Sequence, residues 1–258
     1  MKAKKSEKIL LIGKEKSFLI DTVMKKFHSN YGELDLAKAT RKTPSGRQAV
    51  FGRKVKTNLG HEFTVVKPTV IDYLRKARRG PQIIMPKDAA MILSITGLES
   101  GWRCLDAGSG SGFLSIFLGN LVKPSGKVFA YERNKQFAKN IEFNIRYCGL
   151  EGIITLKNKD VKMATEKELN LVTLDMIDAE KLVPKVHKAL RIGGWLCVYS
   201  PHIEQQKSAV AAMEKLGFMY IQTIENIQRF WKIDTRGYTH PKPSGILHTG
   251  FMTFGRKV

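Results

Sequence analysis

Residues Leu105 to Phe113 read LDAGSGSGF, and the run LSIFLGNLV follows from Leu114. An apolar strand ends in a carboxylate, Asp106, after which glycines stand at alternate positions, Gly108, Gly110 and Gly112, ahead of a helix-like stretch. Glycine lets the backbone turn tightly and come close to a ligand, and the amides of the helix start point at it. A dinucleotide-binding turn shows G-x-G-x-x-G. Here the third glycine keeps the alternate spacing, and an acid stands two residues before the first. That spacing favours S-adenosylmethionine over a pyrophosphate cofactor, and a dehydrogenase reading fails on it.

Further carboxylates fall where such a site needs them. The segment KVFAYE ends at Glu132, where a second parallel strand should stop and offer its acid to ribose hydroxyls. ITLKNKD, from Ile154, delivers Asp160 after a third strand, suitably for an adenine amino group, and LNLVTLD carries Asp175 to the same rim. Loops after strands are polar in general, so any one of these acids alone is as well explained by solvent; four in succession behind a glycine loop point to a binding edge.

From Lys87 onward the order is repeatedly strand, glycine or acid, helix, which implies a doubly wound, mostly parallel sheet with its site at the carboxyl ends of the strands. A helix over Lys87–Leu98 leads into the first strand, Trp102–Asp106. WLCVYS, from Trp195, is a fifth strand, and a helix over Glu204–Leu216 follows. FMYIQTIENIQRFWKI and HTGFMTFGRK then read as two long β segments that pair antiparallel across a loop holding Pro241, Pro243 and Gly245. Ahead of all this, KILLIG, SFLIDT, TPSGRQAVFG, KVKTNLG and EFTVVKPT read as short strands of a small basic β-domain. TVIDYLRKARRG, with Thr69 as N-cap and Gly80 as its stop, reads as a linking helix. The expected division is residues 1–68 and 69–258.

The 258 residues, 43% of them hydrophobic, suffice for an α/β domain and a small satellite. The net charge of +21 is uneven, with 20 basic and 7 acidic side chains in the first 80 residues. Such a field suits a polyanion with salt-sensitive binding, though a high isoelectric point by itself equally serves solubility. Cys104, Cys148 and Cys197 have no paired spacing and read as thiols of a reducing compartment. His240 and His248 have no cysteine near them, so no metal site is expected. The basic start has an apolar run too short for a secretory signal, and no run approaches a membrane span; a cytoplasmic protein is expected.

Taken in order, RRGPQIIMPKDA, LDAGSGSGF, VFAYE, LVTLD, GGWLCVYSPHIEQ, RFWKI and HTGF resemble the archaeal and bacterial tRNA (adenine-N1)-methyltransferases that modify the T loop. VKTNLGHEFTVVKPTVIDYL resembles the stretch joining that family's small β-domain to its catalytic domain. The glycine loop is shared with many methyltransferases; PKDA before it and Tyr199, Pro201 and Gln205 behind strand five are more specific. The resemblance implies an α/β fold of the Rossmann-like, class I S-adenosylmethionine-dependent methyltransferase type, ending in an antiparallel carboxyl-terminal pair and preceded by a small β-domain that grips tRNA. It implies methylation of adenine N1 at T-loop positions 57 and 58, one or both, and a homotetramer.

By the same resemblance, Gln82 and the loop through Ser109, Gly110, Ser111, Gly112, Phe113 and Leu114, with Gly108 at its start, hold the methionine part of the donor. Glu132 takes the ribose, Asp160 the adenine with Val161 packed beside it, Asp175 is the catalytic aspartate, and Tyr199 flanks the substrate pocket. The residues alone agree for the acids and are silent on Gln82; for Tyr199 they allow a core aromatic as readily as a pocket wall. Two positions depart from the family pattern. Asp175 is followed by Met176, Ile177, Asp178, Ala179 and Glu180 rather than by proline and an aromatic, and Met85 stands where relatives place an aromatic before PKDA. Two other readings stay open: a methyltransferase for a protein or small molecule, since fold does not set substrate, and a donor-binding RNA-binding protein without activity.

Overall fold

The computed structural model describes residues 7–44, 46–80, 83–243, 245 and 247–258. Contacts divide the chain into two compact units that meet at Ala77 and Arg78. The sequence suggests a division after residue 68; in the structure the helix Val70–Lys76 beyond it counts with the first unit.

The first unit carries eight short strands, β1 Lys8–Ile12, β2 Ser17–Asp21, β3 Lys26–Ser29, β4 Gly32–Asp35, β5 Thr40–Thr43, β6 Gly46–Ala49, β7 Lys54–Lys56 and β8 Glu62–Val66, then α1 Val70–Lys76. Four of them form an antiparallel sheet in the order β2-β1-β8-β7, with β3–β4 and β5–β6 as separate hairpins. Ile9, Leu11, Leu34, Leu36, Val55, Phe63 and Val65 make its core. TPSGRQAVFG holds one short strand, as expected, β6; its antiparallel partner β5 lies mostly ahead of that stretch and ends at Thr43, just before Pro44, which cannot donate to a ladder. Asp72 closes the start of α1, accepting from both the amide and the hydroxyl of Thr69 at 2.8 Å.

The second unit runs α2 Pro86–Thr96, β9 Arg103–Ala107, α3 Phe113–Val122, β10 Lys127–Tyr131, α4 Lys135–Cys148, β11 Ile154–Lys157, β12 Leu169–Asp175, α5 Val183–Ala189, β13 Leu190–Ser200, α6 Ile203–Lys215, β14 Met219–Glu225, β15 Trp231–Lys232, β16 His240–Pro241 and β17 Phe251–Arg256. Seven strands build one sheet in the order β11-β10-β9-β12-β13-β17-β14. Neighbours from β11 to β13 pair parallel, and β17 pairs antiparallel with both β13 and β14. The central strands are apolar along their length because helices cover both faces. Leu105, Val172, Leu174, Leu196 and Val198 pack in one cluster with Val183, Val186, Ala209, Met213 and Phe218. Successive connections leave β9 toward β10 on one side and return to β12 on the other, so a crevice opens at the carboxyl ends of β9 and β12.

The carboxyl-terminal β segments are shorter than expected. The sheet takes Met219–Glu225 only, and β15 pairs with β16 apart from it. At Asn226, just past the end of β14, the chain turns to Lys87 instead: Asn226 Nδ2 donates to the Lys87 carbonyl at 2.8 Å and Lys87 Nζ donates to the Asn226 carbonyl at 2.5 Å. Conversely β13 starts at Leu190, ahead of the expected Trp195, across a register shift opposite Leu169 and Leu171. No described helix is long and apolar enough to cross a membrane, and the described residues contain no cluster suited to a metal ion.

Candidate active site at the carboxyl ends of β9, β10 and β12

The glycine loop is built from beneath by Asp106. This carboxylate is buried, accepting the Ser115 hydroxyl at 2.5 Å and the Thr173 hydroxyl at 2.8 Å, while the Asp106 carbonyl accepts the Ser109 hydroxyl at 2.8 Å. Burial pushes its carboxyl pKa up, against the lowering effect of those hydroxyl bonds. Its work is therefore internal: it joins α3, β12 and the loop. Above it Gly108, Gly110 and Gly112 all take positive φ, at 76°, 57° and 79°. Gly108 also meets a spatial demand, since a Cβ there would lie 2.0 Å from the Asp175 carbonyl oxygen. Only glycine lets the end of β12 come this close to the loop.

Glu132 is buried just past β10 and fastens to the same loop. Its carboxylate accepts the Gly110 amide at 2.9 Å and the Asn134 amide at 2.7 Å. Asp160 lies three residues beyond β11 and accepts the Lys162 amide at 2.8 Å, capping a single 3₁₀ turn that opens with buried Val161. A cavity of about 630 Å³ joins these pieces, lined by Gly108, Gly110, Glu132, Asp160, Val161 and Asp175, with Phe137 and Met176 among its apolar wall. That volume is in the range of small-molecule sites. A smaller hollow beside it is lined by Ser109, Ser111, Phe113 and Leu114, and shares Gly108, Gly110 and Asp175 with the cavity.

Asp175 ends β12 on the wall common to both spaces. Among the described residues its carboxylate has no hydrogen-bond partner. Partial burial, and secondarily the negative Asp106, push its pKa up to about 7. Met176 and Ile177 follow along the cavity wall, and Asp178 turns the chain at φ 61° into the 3₁₀ turn Ala179–Leu182.

Asn144, unremarked in the sequence, ties the entering chain to the loop. It is fully buried on α4; its Oδ1 accepts the Arg78 amide at 2.8 Å, and its Nδ2 donates to the carbonyls of Arg78 at 2.8 Å and Ser111 at 2.9 Å. The available signal was one polar residue on an apolar helix face with Ala138, Ile141 and Ile145. Asn144→Leu removes the partner of all three backbone groups and is expected to destabilise the fold by about 3 kcal/mol and to weaken S-adenosylmethionine binding about tenfold. Thermal melts and calorimetry check both; unchanged donor affinity would remove Asn144 from the site's support.

Among the other expected site residues, Gly112 is the N-cap of α3 and faces Ile141 on α4 rather than either hollow. Tyr199 is buried on β13, in register with Asp175, and its hydroxyl donates to the Thr249 carbonyl at 2.6 Å. It lines neither space, and burial raises its pKa to about 12. Gln82 lies outside the described residues. Met85 is the N-cap of α2 and is exposed.

The residues present suit a donor with a polar amino-acid arm and a nucleoside. The Ser111 hydroxyl is buried at the small hollow without a partner among the described residues, which leaves a polar group to be satisfied there. Glu132 and Asp160 stand along the larger cavity, with Val161 and Phe137 to flank a flat ring.

A family model described as the tRNA methyltransferase complex GCD14 subunit matches residues 65–249. The tRNA (adenine(57)-N(1)/adenine(58)-N(1))-methyltransferase TrmI of Methanocaldococcus jannaschii is 29% identical, over 96% of this chain and 94% of that protein. A solved SAM-dependent O-methyltransferase from Thermotoga maritima is similar with a TM-score of 0.81 and 30% identity, covering 98% of this chain and 93% of that one. The solved tRNA (m1A58) methyltransferase TrmI of Aquifex aeolicus gives 0.75 and 25%, covering 98% and 97%. With the sheet order, the glycine loop and a family match across most of its length, the chain belongs to the tRNA methyltransferase family of the GCD14 subunit.

Proposed function

We propose that this protein is a tRNA (adenine-N1)-methyltransferase that uses S-adenosylmethionine and acts on the T loop, at position 57, position 58 or both. The observation that carries the reading is Asp175: an ionisable carboxylate on the wall shared by both hollows, without a partner among the described residues. The relatives named for this reaction support the substrate.

In this reading the loop from Ser109 to Leu114 receives the amino-acid arm of the donor, Glu132 the ribose and Asp160 with Val161 the adenine. Bound there, the donor would supply an electrophilic methyl carbon: the N1 lone pair would bond to it as the carbon–sulfur bond breaks, and the sulfur would leave with that electron pair as a neutral thioether. The protein needs no nucleophile of its own; its part is to align the groups in a pocket with little water. Positive charge grows on the target ring as N1 is alkylated. The ionised Asp175 accepts a hydrogen bond from the exocyclic N6 amino group, and so stabilises that charge or removes a proton. N1 is engaged in structured RNA, so the target adenine is swung out to reach the rim.

The basic first unit grips phosphates in this reading, in keeping with 20 basic side chains in the first 80 residues. A homotetramer in the cytoplasm completes it. Exposed apolar side chains at the carboxyl-terminal edge, Tyr220, Phe230, Trp231 and Ile233, supply surface for self-association.

The O-methyltransferase likeness favours a second reading, in which a hydroxyl of a protein or small molecule takes the methyl group. Labelled donor separates the two. With transcript tRNA and, separately, RNase-treated cell extract as acceptors, label is expected in the tRNA and not in the extract. Label confined to the extract would support the second reading and overturn the first.

A further inference from the structure

PKDA at the start of α2 and HTGF ahead of β17 contribute no lining to the donor cavity or the hollow beside it, yet in the folded chain they meet. Lys87 Nζ donates to Asp88 Oδ1 at 2.6 Å, to Thr249 Oγ1 at 2.7 Å and to the Asn226 carbonyl at 2.5 Å, which occupies all three of its protons. Asp88 is fully buried, and its Oδ2 accepts the Thr249 hydroxyl at 2.7 Å. Asn226 Nδ2 returns a bond to the Lys87 carbonyl at 2.8 Å. The two charges are matched and the Thr249 hydroxyl both donates and accepts, across 161 residues of sequence from Asp88 to Thr249.

A buried ion pair of this kind contributes little net stability compared with apolar residues of the same volume, so its value lies in the geometry it imposes. That geometry leads to Asp175. The Thr249 carbonyl accepts the Tyr199 hydroxyl at 2.6 Å, and Tyr199 is the β13 residue in register with Asp175 on β12. Gly250 allows the contact, since a Cβ there would lie 2.5 Å from Tyr199 Cζ. His248 holds the approach, its ring nitrogens lying 2.6 Å from Glu225 Oε1 and 3.1 Å from the Pro201 carbonyl. The same pair anchors the first turn of α2 and with it the N-cap Met85.

We propose that Lys87 and Asp88 are positioning residues for the methyl-accepting side of the site: they fix Thr249, which fixes Tyr199 beside Asp175. The inference rests on the functional reading above. It accounts for PKDA, the Tyr199 region and HTGF as one connected structure rather than three separate features.

The test uses the full-length protein and compares Thr249→Val, which removes the hydroxyl at constant shape, with Thr249→Ser, which keeps it. Measured are kcat and KM for transcript tRNA, and Kd for S-adenosylmethionine by calorimetry. The valine variant is expected to lose kcat by about tenfold or more while its donor Kd stays within about twofold, and the serine variant to match wild type within about twofold in both. Should the valine variant fail to fold, Asn226→Ala, which cuts only the bond to the Lys87 carbonyl, is expected to lower kcat about threefold with donor affinity kept. Wild-type kcat in the valine variant, or in Asn226→Ala where that stands in, overturns the proposal. So does a loss that falls on donor affinity instead, or a serine variant that fails to restore turnover. A wild-type protein that methylates no tRNA overturns the functional reading and this inference with it; an active wild type with an insensitive variant overturns this inference alone.

Discussion

Asp175→Asn is expected to lower methyl transfer to tRNA by about 100-fold or more, to leave S-adenosylmethionine affinity largely unchanged, and to make the protein more stable at alkaline pH. The carboxylate sits partly buried without a partner among the described residues, and its pKa is raised to about 7. In the unfolded chain it ionises near the ordinary aspartate value of about 4. Between those two values the folded protein retains a proton that the unfolded chain has given up, so stability falls as pH rises through the window and stays at its lower level above it. Asparagine has no such ionisation. At pH 8 the variant should therefore be more stable by roughly 2–4 kcal/mol, a rise in melting temperature of about 5–10 °C, and the gain should vanish below about pH 4. Melts at both pH values with activity assays alongside decide it; a variant equally stable at both would mean that Asp175 carries no such strain. Wild-type activity should in turn rise with pH through about 7, as the acceptor form of Asp175 fills.

Gly108→Ala should be the most damaging single-methyl change in the donor site. The added carbon would stand 2.0 Å from the backbone carbonyl of Asp175, which cannot rotate away as a side chain would, and φ 76° is strained for alanine besides. Relief requires the end of β12 to part from the loop, and that opens the wall on which Asp175 stands. The expected result is a loss of donor affinity of about 100-fold or more and a destabilisation of about 3 kcal/mol. Calorimetry and thermal melts measure both. An alanine variant that binds donor within about threefold of wild type would show that this close approach is not needed.

Those two positions also show what the sequence carries openly. The mostly parallel sheet and its rim were legible because parallel strands covered on both faces read as apolar runs, and because glycine and acid residues punctuate them at their carboxyl ends. Gly108, Glu132, Asp160, Val161 and Asp175 are brought together on one cavity. Asp106 was equally visible as a strand-end acid, but no pattern of residues reveals that hydroxyls of Ser115 and Thr173 turn it inward. The partners of a buried acid are set by tertiary packing, which also hid Asn144 and the meeting of Lys87 and Asp88 with Thr249. The carboxyl-terminal segment was overextended for the same reason: its composition suits a strand through Ile233, yet a lysine distant in sequence bonds the carbonyl and side-chain amide of Asn226 where the pairing stops. In the first unit β6 was legible between Pro44 and Gly52, whereas its partner β5, Thr40–Thr43, carries two charged residues and no apolar run to mark it.

The central claim is that this rim delivers a methyl group to adenine N1 in the T loop. It is tested most directly by incubating the protein with unmodified transcript tRNA and S-adenosylmethionine, digesting the RNA, and mapping the modified nucleoside by mass spectrometry. The expected product is 1-methyladenosine at position 57, position 58 or both, formed about 100-fold or more slowly with Asp175→Asn. Protein that binds the donor in a calorimeter and yet leaves every T-loop adenine unmethylated would contradict the account.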